Sequence, residues 1–114
     1  IYPRNLAYAK KALEEANFSC EVDNAHKTFI SKAMNKQYME AHHLIPLQFQ
    51  EDFSYSLDIP ANIVSVCASC HRKLHFGFIE DKKEILKKLF ERKNNKLKEF
   101  GIIINEDELF EIYT

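Results

Sequence analysis

The chain has 114 residues, a formal net charge of −1 and 46% hydrophobic residues, values that exclude a disordered segment and give no sign of a strongly basic nucleic-acid binder. No apolar run approaches the length of a membrane span and no leader-like segment is visible, so we expect a soluble, cytoplasmic protein without a membrane partner. Three cysteines, two of them in a Cys-x2-Cys pair, indicate metal binding in a reducing compartment rather than a disulfide scaffold.

The N-terminal part of the chain predicts one helix and a short extended segment. Pro3 suits the first turn of a helix, and the apolar spacing over residues 4–16 predicts a helix with bounds of 3–17. Residues 18–22 are expected to be extended, followed by a turn at 23–24.

The middle of the chain predicts two strands on either side of a long loop. β-prone residues 28–30 and a hairpin tip at 35–37 precede a strand at 38–42. A loop over 44–61 then leads to a partner strand at 62–66. Four side chains are expected to pin the loop to the body of the protein, and the aromatic ones have base stacking as the alternative: Phe49, Phe53, Tyr55 and Leu57.

The C-terminal part predicts three helices. One starts near His71, and a longer one covers residues 80–100, with Gly101 as its stop. Residues 102–104 are expected to be a short buried strand or an extended link, and Asn105 is expected to cap a final short helix.

Histidines and cysteines are concentrated in residues 40–75, which hold four of the five histidines and two of the three cysteines. His71 and His75 are four apart, so on a helix they project from one face and can hold one ion. His42 and His43 are adjacent on a predicted strand, so one side chain can join the ion while the other faces a substrate. The residues therefore predict a compact ββα unit built around a metal.

This pattern resembles the motif of the HNH endonucleases, whose ββα-metal fold is shared with the nuclease colicins. The resemblance rests on Glu40-Ala-His-His-Leu-Ile-Pro46, on Asn62, and on Cys67-x2-Cys70-His71-x3-His75. The chain is most similar to restriction-type HNH nucleases with a cysteine-bound structural zinc, some of which cut methylated DNA. The resemblance implies an α+β fold with a ββα-metal core, flanking helices and a zinc knuckle.

The resemblance also implies roles for individual residues. Three histidines match the positions that hold the catalytic divalent metal, with Mg²⁺, Mn²⁺, Ni²⁺ or Zn²⁺ as candidates: His42, His71 and His75. His42 matches the colicin-like subgroup, because many other relatives have Asp there. His43 matches the general base that activates water, Asn62 matches the middle letter of the motif and helps to orient His43, and Glu40 is expected behind the metal ligands.

A second, structural zinc site is expected from the cysteines. Cys67 and Cys70 supply half of such a site, and Cys20 is the remaining cysteine. Cys20 is followed at the usual spacing by Asp23 rather than a cysteine, and His26 lies three residues further on. A Cys3His set with His26 is ordinary zinc chemistry, and Asp23 stays open as the alternative fourth ligand.

The predicted helix over residues 80–100 is rich in basic side chains. They are expected either to contact phosphates or to form a solvated face with ion pairs: Lys82, Lys83, Lys87, Lys88 and Arg92. The apolar stripe of the same helix is expected to be core or a dimer seam.

Together these features predict one HNH nuclease domain over residues 1–114, with the zinc knuckle and ββα core at 18–78 and the last helices at 79–114. The predicted function is metal-dependent hydrolysis of DNA phosphodiester bonds in restriction, with a homodimer and an upstream recognition domain or subunit as possible partners. The start at Ile1 rather than Met is consistent with a piece of a longer protein. The alternatives are a non-catalytic zinc-stabilised nucleic-acid-binding module and a hydrolase of small phosphoesters.

Overall fold

The computed structural model describes residues 5–114, which fold into four α-helices, two short 3₁₀ helices and two antiparallel strand pairs. In chain order the α-helices and strands are α1 Leu6–Glu15, β1 Ile30–Ser31, β2 Lys36–Gln37, β3 Glu40–His43, β4 Ile63–Val66, α2 Ala68–Phe76, α3 Ile79–Glu99 and α4 Glu106–Ile112. The 3₁₀ helices, Leu47–Asp52 and Pro60–Asn62, lie in the loop between β3 and β4. β1 pairs with β2, and β3 pairs with β4. The α+β class and the ββα unit, formed here by β3, β4 and α2, are confirmed. Among residues 5–114, no helix has the length and apolar character needed to cross a bilayer.

Helix α1 begins at Leu6 because Asn5 caps it, with the Asn5 side chain accepting a hydrogen bond from the Ala7 amide. The expected role of Pro3 and the expected start at residue 3 lie outside the described residues. The extended segment expected at 18–22 is wrong at its start, since Asn17 and Phe18 both have φ of 53°. Their amides bond carbonyls of the last helical turn, so the chain reverses there.

The small hairpin of β1 and β2 turns slightly earlier than expected. Its tip covers residues 32–35, and Lys36–Gln37 already belongs to β2. Asn35 has φ of 54° and takes the left-handed conformation that glycine usually provides in such a turn.

The ββα unit starts its helix three residues before the expected position at His71. The Sγ atom of Cys67 accepts a hydrogen bond from the Cys70 amide and caps α2, which therefore begins at Ala68. The knuckle is thus the first turn of the helix that carries His71 and His75.

Helix α3 covers Ile79–Glu99, one residue earlier at each end than predicted, and has most of the predicted buried stripe. Leu86, Leu89 and Leu97 are fully buried, so the stripe is core, whereas Phe100 is 47% exposed and does not belong to it. Gly101 has φ of 79°, and a side chain there would meet the ring of Tyr55. The Tyr55 side chain is 59% exposed, so it is less buried than the prediction that it pins the loop implies.

Helix α4 is reached through residues 102–104, which form the extended link rather than a strand. Asn105 caps α4 as expected, with a reciprocal pair of hydrogen bonds to Glu108. The rest of the expected loop packing is present, since Leu57 is fully buried and Phe49 and Phe53 contact the core.

Asn62 closes the long loop between β3 and β4. Its Oδ1 atom accepts a hydrogen bond from the Ile45 amide at 2.9 Å. Its Nδ2 atom donates to the carbonyls of Ile45 at 3.0 Å and Leu57 at 2.9 Å. Asn62 is completely buried, so these bonds have no competition from water. One side chain therefore holds both ends of the loop beside the strand pair.

Replacing Asn62 with alanine should lower the free energy of unfolding by about 3 kcal/mol, because three buried hydrogen bonds at roughly 1 kcal/mol each are lost. Urea titration followed by circular dichroism measures this change. Asn95→Ala on the exposed side of α3 is the control and should change stability by less than about 0.5 kcal/mol. Equal stability of the two variants would contradict the role given to Asn62.

Candidate active site

Three histidines converge at the centre of the ββα unit, His42 from β3 and the other two from α2. One ring nitrogen from each lies within 4.8 Å of the others, and the Nε2 atoms of His71 and His75 are 3.0 Å apart. The ring centroids are 4.7 Å apart for His71 and His75. Two nitrogens bound at about 2.1 Å to one ion would lie roughly 3.0–3.4 Å apart, depending on the coordination angle. The three rings therefore fit one divalent ion.

Glu40 lies behind His71. The Nδ1 atom of His71 is 2.8 Å from one carboxylate oxygen of Glu40, and the Tyr38 hydroxyl donates to the other oxygen. The hydrogen bond from Tyr38, and then that from His71, lower the pKa of Glu40 below its usual range. The ionised carboxylate accepts the Nδ1 proton, so His71 presents Nε2 to an ion.

His42 is buried and contacts a residue that the sequence did not single out. Its Nε2 atom is 2.7 Å from the hydroxyl of Tyr113, which also lies 2.6 Å from the carbonyl oxygen of Leu44. Burial raises the pKa of Tyr113 well above its ordinary value, so its hydroxyl stays protonated. No local pattern marks Tyr113, because only folding brings it to β3.

His43 follows His42 on β3, so strand geometry sends its side chain to the opposite face, where it meets a carboxylate. Its Nε2 atom is 2.8 Å from Oδ1 of Asp58, and the other oxygen of Asp58 accepts the Asn5 amide at 2.6 Å. Asp58 was also missed by the sequence prediction, since an acid in a loop carries no specific signal. His43 nevertheless lines the same cleft of about 360 Å³ as the three converging histidines.

Asn62 does not bond to His43, because its amide bonds go to Ile45 and Leu57. It reaches His43 only indirectly, since Leu57 precedes Asp58 in the chain. Asn62 was expected to orient His43, but the residue that contacts the His43 ring directly is Asp58.

The cysteines form a second cluster at the start of α2. One ligand atom each from Cys20, His26, Cys67 and Cys70 lies within 4.8 Å of the others. Cys20 Sγ is 3.9 Å from Cys70 Sγ. The Nδ1 atom of His26 is 3.7 Å from Cys67 Sγ and 3.6 Å from Cys70 Sγ. A tetrahedral zinc ion with bonds of about 2.3 Å to sulfur and 2.0 Å to nitrogen gives separations of roughly 3.5–3.8 Å. The cluster is therefore compatible with zinc.

Asp23 stands behind His26 rather than among the ligand atoms. One carboxylate oxygen is 3.8 Å from Nε2 of His26, and the other accepts the Ala25 amide. This arrangement favours His26 as the fourth ligand. Burial opposes ionisation of Cys20, but backbone amides, led by that of Cys67, lower the Cys20 pKa to about 7. A thiolate at Cys20 is thus available near neutral pH.

Two of the expected phosphate contacts have other partners. Lys82 is buried and donates to the carbonyl of Leu74 at 3.0 Å, so the prediction that it contacts phosphate is wrong. Arg92 lies 3.3 Å from the buried carboxylate of Glu21, which also accepts the Ser65 amide. Lys83, Lys87 and Lys88 are exposed.

Comparison with known families agrees with the ββα unit and its three converging histidines. Residues 23–77 match the family described as HNH endonuclease, so the chain carries an HNH endonuclease domain. Over 90 residues, 79% of its length, the chain is 30% identical to the Type IV methyl-directed restriction enzyme EcoKMcrA of Escherichia coli (strain K12). The chain spans about 30% of the length of that relative.

We expect His26→Ala to weaken zinc binding by more than about 100-fold, because a direct ligand is lost, while Asp23→Ala should cost about tenfold or less. Zinc released by a mercurial reagent, read with a colorimetric chelator, gives the stoichiometry. Competition with chelators of graded affinity gives the affinities. Equal loss of zinc in the two variants would contradict the assignment of His26.

Proposed function

We propose that this HNH domain is a divalent-metal-dependent endonuclease that hydrolyses DNA phosphodiester bonds, acting in restriction in the cytoplasm. One observation carries the proposal: His43, paired with Asp58, lines the same cleft as the three histidines that fit a metal. Membership of the HNH family supports nuclease chemistry, and the similarity to a methyl-directed restriction enzyme supports DNA as the substrate.

His43 is suited to take a proton from water. Its Nε2 atom faces the Asp58 carboxylate, and an ionised carboxylate accepts hydrogen bonds but cannot donate them. Nε2 of His43 therefore carries the proton, and Nδ1 carries the lone pair. Water then attacks phosphorus as its proton passes to Nδ1, and the bond from phosphorus to the 3′ oxygen breaks, which leaves a 5′-phosphate. The leaving 3′ oxygen takes a proton from solvent to become a hydroxyl, and His43 afterwards returns its proton to solvent. Asp58 stabilises the imidazolium that forms. A bound divalent ion would supply positive charge to the phosphate and to the leaving oxygen.

The surface around the histidines suits a polymer better than a small phosphoester. A second cleft of about 700 Å³ adjoins the first, and both are lined by His71 and His75. Arg72 and the exposed ring of Phe76 lie along this second cleft. A nucleic-acid strand that crosses the metal position can therefore continue on both sides of it, with Arg72 near a phosphate.

Target selection and double-strand cutting need more than this site. Since the chain spans about 30% of its restriction-enzyme relative, we propose that target recognition lies outside the HNH domain. Cutting both strands needs two sites, so we propose that the active form pairs two copies of the domain.

His43→Ala should reduce plasmid cutting by about 10²–10⁴-fold without loss of the fold, because the group that accepts the proton is removed. The assay uses supercoiled plasmid, methylated and unmethylated, with Mg²⁺, Mn²⁺, Ni²⁺, Zn²⁺ or a chelator. Gln48→Ala, an exposed residue of the same cleft, is the matched control and should retain most activity. Wild-type cutting that persists in His43→Ala, or no cutting with any metal, would refute the proposal and favour a binding module.

Asp58→Asn should slow cutting by about tenfold and Asp58→Ala by about 100-fold, because Asn keeps an acceptor for Nε2–H but loses the charge, whereas Ala loses both. Single-turnover nicking rates measure this, with thermal unfolding to check the fold. Asp52→Asn, an exposed acid of the same loop, is the control. Wild-type rates in both Asp58 variants would show that the pair has no part in the reaction.

A further inference from the structure

The hydroxyl of Tyr113 joins the end of the chain to a metal-site histidine. It lies 2.6 Å from the carbonyl oxygen of Leu44 and 2.7 Å from Nε2 of His42, which is 71 residues away in sequence. Tyr113 is buried, and no known motif of the chain includes it. The two contacts of its hydroxyl therefore need an explanation that the sequence motif does not give.

The two distances fix where the protons lie. A carbonyl oxygen can only accept, so the Tyr113 proton must point to Leu44. The Tyr113 oxygen then has only lone pairs to offer to His42, and the Nε2 atom of His42 must donate. A neutral imidazole has one proton, so Nδ1 of His42 carries the lone pair.

His71 carries its proton on the other ring nitrogen, because Glu40 accepts the proton of the His71 Nδ1 atom and leaves Nε2 for a metal. We propose that Tyr113 is a positioning residue that selects Nδ1 of His42 as the metal ligand, as Glu40 selects Nε2 of His71. This inference rests on the metal site of the proposed function. It gives α4 a part in the site, although α4 supplies no ligand.

Neighbouring residues hold the side chain of Tyr113 in place. The Nζ atom of Lys82 lies 5.5 Å from the centre of its ring and donates to the carbonyl of Leu74 near the end of α2. Leu109, one turn earlier in α4, is fully buried. Asn105 and Glu108 cap the same helix. The hydroxyl is thus held by packing and not only by the bonds that it makes.

The test compares Tyr113→Phe with wild type by two readouts that do not involve cutting. The protein is labelled with ¹⁵N-histidine, loaded with one equivalent of zinc and kept free of other metals. Long-range ¹H–¹⁵N spectra then give the tautomer of each histidine, and the signals that are missing in His42→Ala identify His42. Calorimetric titration with Ni²⁺ gives the affinity of the three-histidine site, with His75→Ala as the variant that lacks a ligand. Leu109→Val is the control for a loosened α4, because it leaves the hydroxyl in place.

Wild type should show His42 with the proton on Nε2, and Tyr113→Phe should lose this preference and bind Ni²⁺ about tenfold or more weakly. Leu109→Val should lower the melting temperature but keep the wild-type tautomer and affinity. A proton on Nδ1 in wild type, an unchanged tautomer or affinity in Tyr113→Phe, or no Ni²⁺ binding by wild type would overturn the inference. Tyr113-dependent Ni²⁺ binding without plasmid cutting by any metal would uphold the inference and refute the proposed nuclease.

Discussion

The antiparallel pairing of β3 with β4 is the constraint on which the site depends. Four residue pairs, from Glu40 with Val66 to His43 with Ile63, set the register. Because strand side chains alternate, a slip of one residue would exchange the faces of His42 and His43 and separate His42 from His71 and His75 of α2. The register also fixes where β4 ends, and α2 follows β4 after Cys67 alone.

The pairing of β3 with β4 is short, and hydrogen bonds from other parts of the chain support it. At one end, Asn62 holds the loop that joins the two strands. At the other, Glu21 and Ser65 exchange hydrogen bonds, with the Glu21 amide donating to the Ser65 carbonyl and the Ser65 amide donating to the Glu21 carboxylate. Arg92 and Lys93 of α3 balance that buried charge. The strand pair is thus fixed by long-range polar contacts more than by its own length.

Part of the fold and of the candidate site could be predicted from the sequence, because it depends on residues that are close together in the chain. The spacing of His71 and His75, the stop at Gly101 and the cap at Asn105 each depend on a few neighbouring residues, so the sequence alone indicates them. The early start of α2 was missed because a cysteine is an unusual helix cap. Tyr113 and Asp58 were missed because each pairs with a histidine 71 or 15 residues away, and no spacing rule connects such positions.

Helix α2 carries residues of both clusters within its nine residues, and this has a consequence for how the two proposed metal sites affect each other. Cys70 and His71 are neighbours, so an ion bound by the cysteine cluster and an ion bound by the histidine cluster would share one rigid element. Linkage between two binding sites is reciprocal, so an ion at either cluster would change the affinity of the other cluster by the same factor. Oxidants that attack the thiols, or scarcity of zinc, would therefore alter the proposed metal binding at the histidines without touching any of these histidines.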